Sequence, residues 1–239
     1  MSQSTQQLLQ QFNKQYKANT LDIVQGIFSN QYNKYSHILY KTTRKVEAEA
    51  YPFLPETLEI ARRTMHENEG IGIAANQMGL GLQFFMIEAE NSHNNKRYSV
   101  ETPVKFQVFI NPKIVSASKE FNNFWHGCLS AKGKPRGKVS TYRWIEFEAL
   151  DAKANKIEGK LQDLAAIIFQ HEFRHLLGGL YIDHSSNLLS HEKLSDAIKR
   201  GHEQNLTKST QINPLNNLLV DYIIGDSIES YALRKQQKQ

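Results

Sequence analysis

Gln170-His171-Glu172-Phe173-Arg174-His175 is an H-E-x-x-H sequence set inside an apolar-periodic segment, Leu161 to Leu177. On an α-helix, residues i and i+4 share a face, so His171 and His175 present their imidazoles to one point. Two neutral imidazoles on one face suit a divalent transition metal. Glu172 follows the first histidine directly, which puts a carboxylate within reach of a metal-bound water as general base. Three fixed positions are also met by chance on solvated helices, so the rest of the chain has to decide between the two readings.

Upstream, residues 142–150 (YRWIEFEAL) alternate as a strand, Asp151 to Asn155 form a turn, and Lys156 to Gly159 lead into the helix. Before the strand stand Phe124-Trp125-His126-Gly127-Cys128-Leu129-Ser130 and a basic Gly/Pro-containing loop, Lys132 to Lys138. Residues 82–88 and 104–110 read as strands, the second closed by Asn111-Pro112, with 113–118 as a third; 91–97 read as a turn or long loop. Gly70 to Gly79 (GIGIAANQMG) is dominated by small residues, so its backbone can approach a ligand; Ala75 occupies the place of the third glycine of a dinucleotide fingerprint. A helix is expected from a Thr57 N-cap to a Gly70 C-cap, and a short amphipathic one within residues 2–18. Residues 19–55 show no strong period. Downstream, Gly178-Gly179 stop the central helix. Leu180 to Asp183 reads as a short strand, 215–232 as a C-terminal helix interrupted at Gly225, and 233–239 as a frayed basic tail.

The length of 239 residues allows one substantial core. A single cysteine, Cys128, rules out an intramolecular disulfide. The N-terminus lacks a cationic stretch followed by an apolar one, and no apolar run approaches the ~18 residues of a membrane span. A reducing cytoplasm is the expected compartment. The net charge of +5 permits a polyanionic partner without requiring one.

GIGIAANQMG (70–79), HGCLS (126–130) and QHEFRHLLG (170–178), with FINPKIV (109–115) between the first two, resemble in this order the peptide deformylases. The resemblance covers about residues 45–190. It implies an α+β fold, antiparallel sheets around a central metal-binding helix with a C-terminal helix. Residues 1–44 would be an N-terminal extension, 45–190 the catalytic core, and 191–239 a C-terminal extension with a helix and basic tail. The implied metal ligands are Cys128, His171 and His175, holding a divalent ion: Fe(II) in the cell, with Zn(II) or Ni(II) also accepted. One thiolate and two imidazoles leave a fourth position open, the pattern of a catalytic site. The implied reaction removes the formyl group from N-formylmethionyl nascent peptides and releases formate. Glu172 is the implied proton carrier, and the Gln77 side chain and Leu129 N–H are the implied oxyanion donors. Ile73 and Ile168 are candidates for the wall of the methionine pocket. No membrane and no DNA enter as partners.

Three positions depart from the family pattern. His126 stands where a glutamate is usual, and Arg174 where H-E-x-D-H has aspartate. Alignment puts Thr141 where an arginine is usual, with Arg143 close by. Arg174 needs a carboxylate or solvent, and Glu146, Glu148 and Asp183 are the expected partners. His126 is either a surface imidazole or a pH-sensitive neighbour of the ligands. The changes leave open a deformylase-like protein of weak activity or of another N-acyl substrate. A zincin-type protease, which takes its third ligand downstream of the helix, fits the upstream Cys128 poorly. A ribosome-associated binding module is suggested by Lys132-Lys134-Arg136-Lys138 and Arg234-Lys235-Lys238.

Overall fold

The computed structural model describes residues 3–28, 37–90, 103–185, 187–211 and 216–237. Its helices are α1 (Thr5–Tyr16), α2 (Leu54–Glu67), α3 (Asp163–Leu176), α4 (His191–Lys199) and α5 (Ile228–Gln236). Its strands are β1 (Gly72–Ala74), β2 (Phe84–Ala89), β3 (Val104–Ala117), β4 (Phe121–His126), β5 (Arg136–Tyr142), β6 (Trp144–Leu150), β7 (Lys156–Gln162), β8 (Leu188–Leu189) and β9 (Leu206–Ser209). They form a five-stranded sheet, β1-β2-β3-β6-β7, and a four-stranded sheet, β8-β5-β4-β9. Every ladder between these strands is antiparallel. The α+β expectation holds.

β2 is buried on both faces, which is why it reads as an unbroken apolar run rather than an alternating one. Phe85 and Ile87 join the core under α3, while Phe84 and Met86 join the core shared with α1 and α2. Phe169 of α3 sits edge-on to both Phe85 and Phe109, each at 4.9 Å between centroids. Gln170 locks α3 to the smaller sheet: its amide accepts from Tyr142 N–H at 2.8 Å and donates to Tyr142 C=O at 2.9 Å. A buried amide bonded at both ends stabilises one register of helix on sheet. The H-E-x-x-H face of α3 is thereby aimed at the loop after β4.

Several boundaries differ from expectation. α2 starts at Leu54 with Pro55 in its first turn, where a missing N–H costs nothing; Thr57 instead bonds Asn13 Oδ1 at 2.7 Å. Its C-cap is Asn68, and Glu69 takes the left-handed turn (φ 55°), so Gly70 is not the cap. Asn111 (φ 50°) makes a bulge rather than an end, and β3 runs on to Ala117. Residues 156–162 are strand throughout, so the central helix begins at Asp163. Tyr181–His184 is a 3-10 turn, not a strand. The C-terminal helix is confined to Ile228–Gln236, capped by Ser227, because Leu218 and Leu219 bury themselves from a turn. The expected 91–97 loop lies outside the described residues. Among the described residues no helix is long and apolar enough to cross a membrane.

Candidate metal centre

Cys128 follows β4 and opens the short turn Leu129–Ala131, where its Sγ accepts the Ser130 N–H at 3.3 Å. This brings the sulfur to 3.2 Å from His175 Nε2. One ligand atom from each of Cys128, His171 and His175 falls within a 4.8 Å cluster. Gln77, only 1% exposed, is held at both ends of its amide. Its Oε1 accepts Ala74 N–H at 2.8 Å, while its Nε2 faces Ser130 Oγ at 3.1 Å and Cys128 Sγ at 3.4 Å. Asn76 donates to the His175 carbonyl at 2.6 Å, tying the glycine-rich loop to α3.

Glu172 is 4% exposed and its Oε2 has no hydrogen-bond partner. Burial pushes its carboxyl well above the usual range. A side chain at Gly72 would place a Cβ 2.4 Å from Glu172 Oε1, so the glycine makes room for the carboxylate. Gly72→Ala is therefore expected to displace Glu172 and lower kcat by about tenfold or more with bound metal retained, as read by steady-state kinetics beside metal analysis. Burial also raises the Cys128 thiol, with the Glu172 charge adding to it, and holds His175 well below its usual value. His171 is pushed down to about 4 by burial and then by the Arg136 charge. Beside these groups lies a cavity of about 160 Å³ whose apolar wall includes Ile71, Phe124, Leu164, Ile167 and Ile168. Ile168 is where expected; Ile73 is not, being buried in the α1–α2 core.

A sequence profile of the family described as Polypeptide deformylase matches residues 30–191. The chain is 35% identical over 148 residues to peptide deformylase 2 of Nostoc sp., covering 62% of this chain and 78% of that one. It is 37% identical over 150 residues to the peptide deformylase of Bifidobacterium adolescentis, covering 60% of this chain and 66% of the relative. Among solved structures, the Met-Ala-Ser-bound class I type b peptide deformylase of Acinetobacter baumannii superposes with a TM-score of 0.60 at 26% identity, over 69% of this chain and 98% of that one. The chain belongs to the polypeptide deformylase family.

As a deformylase it is a metal-dependent hydrolase acting on N-formyl peptides. Against that family, its departures now have structures. His126 is buried, not at the surface, and its Nδ1 lies 3.0 Å from His171 Nδ1. The rings are parallel within 6° with centroids 5.3 Å apart. Nitrogens that close between centroids that far place the rings side by side in one plane, as a hydrogen bond rather than a stack. One imidazole donates and the other accepts. Burial, the His171 charge and the Arg136 charge hold His126 well below its usual value, favouring the neutral imidazole.

Neither position 141 nor position 143 brings a guanidinium to the site. Thr141 is fully buried with its hydroxyl toward Asn122 C=O, and Arg143 pairs with Glu120 at the surface. Arg136 instead lines the cavity, and its Nη1 lies 2.0 Å from where a Gly127 Cβ would stand. Arg174 is 5% exposed and pairs with none of Glu146, Glu148 or Asp183. Its Nη1 contacts Asp221 Oδ1 at 2.5 Å, and Tyr231 Oη donates to Asp221 Oδ2 at 2.7 Å. Among the other described basic residues, Lys138 pairs with Glu203, Lys134 lies over the Phe28 ring, Arg234 pairs with Asp226 and Lys235 lies over Tyr231, while Lys238 lies outside the described residues.

Proposed function

We propose that this chain removes the formyl group from N-formylmethionyl peptides at the Cys128–His171–His175 centre. The observation that carries the reading is the unpartnered Glu172 Oε2, buried beside one thiol and two imidazoles. The donor set fits a divalent ion: each group is held neutral by burial, and a cation would deprotonate the thiol and take an imidazole lone pair from each histidine. When bound, the metal polarises the formyl carbonyl and lowers the pKa of water. Fe(II) is the ion proposed in the cell, with Zn(II) and Ni(II) as substitutes the same ligands accept.

A cation held at the centre would favour the ionised form of the buried Glu172 carboxyl, which then takes the proton of the attacking water and delivers it to the departing amine. The Gln77 Nε2–H faces the sulfur from the side of the glycine-rich loop. The Leu129 N–H is the first of its turn, a position with no partner within that turn. Together they form the donor pair for the developing oxyanion. Ile71, Phe124 and Ile168 shape the slot for the methionine side chain. Residues 45–190 carry all of these groups and are proposed as the catalytic core.

The expected result is stoichiometric formate and free amine from formyl-Met-Ala-Ser after loading with Fe(II), Ni(II) or Zn(II), with acetyl-Met-Ala-Ser turned over far more slowly. No formate with any of the three metals sinks the proposal; equal turnover of the acetyl peptide points to a different N-acyl substrate.

A further inference from the structure

Residues 20–28 precede the 30–191 stretch that matches the family, and they are neither helix nor strand. They are nonetheless bonded to the site. Val24 N–H donates to the Gln77 carbonyl at 2.8 Å, and Gly26 N–H donates to the Ser130 carbonyl at 2.8 Å. In extended chain, alternate N–H groups point the same way, so residues 24 and 26 face the catalytic loops together. Between them, the Gln25 side chain bridges the loop after β4. Its Nε2 donates to Leu129 C=O at 3.0 Å and its Oε1 accepts Lys132 N–H at 3.0 Å. A primary amide, with donor and acceptor side by side, satisfies both groups of a facing backbone at once.

The approach is close. A Cβ on Gly26 would lie 2.6 Å from Leu180 Cδ1 and 2.8 Å from the Phe28 ring. Val24, Ile27 and Phe28 pack against Leu39, Tyr40 and Leu180, and Lys134 Nζ lies 4.7 Å over the Phe28 ring. The segment is thus anchored at its own flank, and its hydrogen bonds go to two loops, the one bearing Gln77 and the one bearing Leu129.

We propose that residues 23–26 are a strap that holds Gln77 and Leu129 at the spacing the reaction needs, with Gln25 as a positioning residue acting through the Leu129 and Lys132 backbone. The proposal rests on the deformylase reading for its kinetic consequence. Gln25 is exposed, and its side-chain hydrogen bonds go to backbone groups of Ile23, Leu129 and Lys132, so its loss should cost the fold little. Its effect should fall on turnover, because oxyanion donors act only in the transition state.

The test uses the full chain, metal-loaded, carrying Gln25→Ala or Gln25→Glu. Gln25→Glu keeps the acceptor for Lys132 N–H but sets a carboxylate against the Leu129 carbonyl. Both variants are expected to lose about tenfold in kcat on formyl-Met-Ala-Ser, equivalent to about 1.4 kcal/mol. KM should stay within about twofold, with bound metal and melting temperature unchanged. Amide hydrogen exchange across residues 128–132 should speed up in both. Unchanged kcat with unchanged exchange overturns the strap, as does a kcat loss that merely tracks lost metal or lost fold. If the unaltered chain releases no formate, the deformylase reading falls, and the exchange measurement alone decides whether residues 23–26 restrain the loop.

Discussion

Glu172→Gln is expected to lower kcat by about 10²–10⁴-fold, the usual worth of a positioned proton carrier, while metal per chain stays as it was. Glutamine keeps the volume that Gly72 leaves open and cannot carry a proton between water and amine. Glu172 is no ligand of the Cys128–His171–His175 cluster, so the ion should be retained. Persistent turnover in the variant would move the proton-carrying role to another residue. The same substitution has a signature in the metal-free chain. Burial raises the folded-state pKa of Glu172 above its ordinary 4.5. The stability this group contributes is then fully present below about pH 4.5 and is lost as pH rises through the folded value. Metal-free Glu172→Gln should therefore gain in melting temperature over the unaltered chain as pH rises from about 5 to 8. His171 works from the other side: its value is depressed to about 4, so its contribution is lost as pH falls from 6.5 through that range. Parallel melting curves for the two proteins across this window would contradict the burial of an uncompensated carboxyl.

How far the sequence could be read depended on whether side-chain type carried the signal. Cys128, His171, His175, Glu172 and Gln77 carry their signal in their functional groups, and the structure gathers them. The start of the central helix is not legible locally, because Ile157 and Leu161 are four apart, a spacing that satisfies a strand's period of two and a helix's period near four equally well. The pairing of Leu161 with Ile145 across β6–β7 decides it, and that pairing is not local. The apolar run 218–224 was ambiguous in the same way, and Gly225 (φ 96°) ends it in a turn. The strap at residues 23–26 has no periodicity because its contacts are N–H groups on loop carbonyls, which any residue type can supply. Arg136 and Asp221 were hidden differently: each meets its target from another element, at a distance along the chain set by loop lengths that no pattern encodes.

Asp221→Ala is expected to cost about 2–3 kcal/mol of stability, somewhat below the figure for removing one partner of a fully buried ion pair. The discount reflects the side chains' 6% and 42% exposure at Arg174 and Asp221 respectively: water reaches the carboxylate end. The loss should appear as a fall of roughly 4–12 °C in melting temperature for a chain of this size. It follows from where Arg174 sits. It stands between Phe173 and His175 on α3, and a Cβ on Gly179 would lie 2.4 Å from its Nε, so the guanidinium has no alternative exit on that side. Without Asp221 a buried cation is left beside His175, a proposed ligand. Arg174→Met removes that charge, and Arg174→Met with Asp221→Ala should cost less than the two single losses summed, a coupling that reports the pair itself. The pH dependence gives an independent check. Burial alone would raise the Asp221 pKa, but the Arg174 charge and the Tyr231 hydroxyl outweigh it, and the value falls below 3.8. A depressed carboxyl contributes stability that is present above the unfolded value and lost as pH falls through the folded one. The gap between the unaltered chain and Asp221→Ala should accordingly be wide at pH 7 and narrow below about pH 3.8. A gap that stays constant on acidification, or single and double variants whose effects simply add, would mean that the C-terminal segment rests on α3 through packing of Tyr222 on Phe173 and not through this charge.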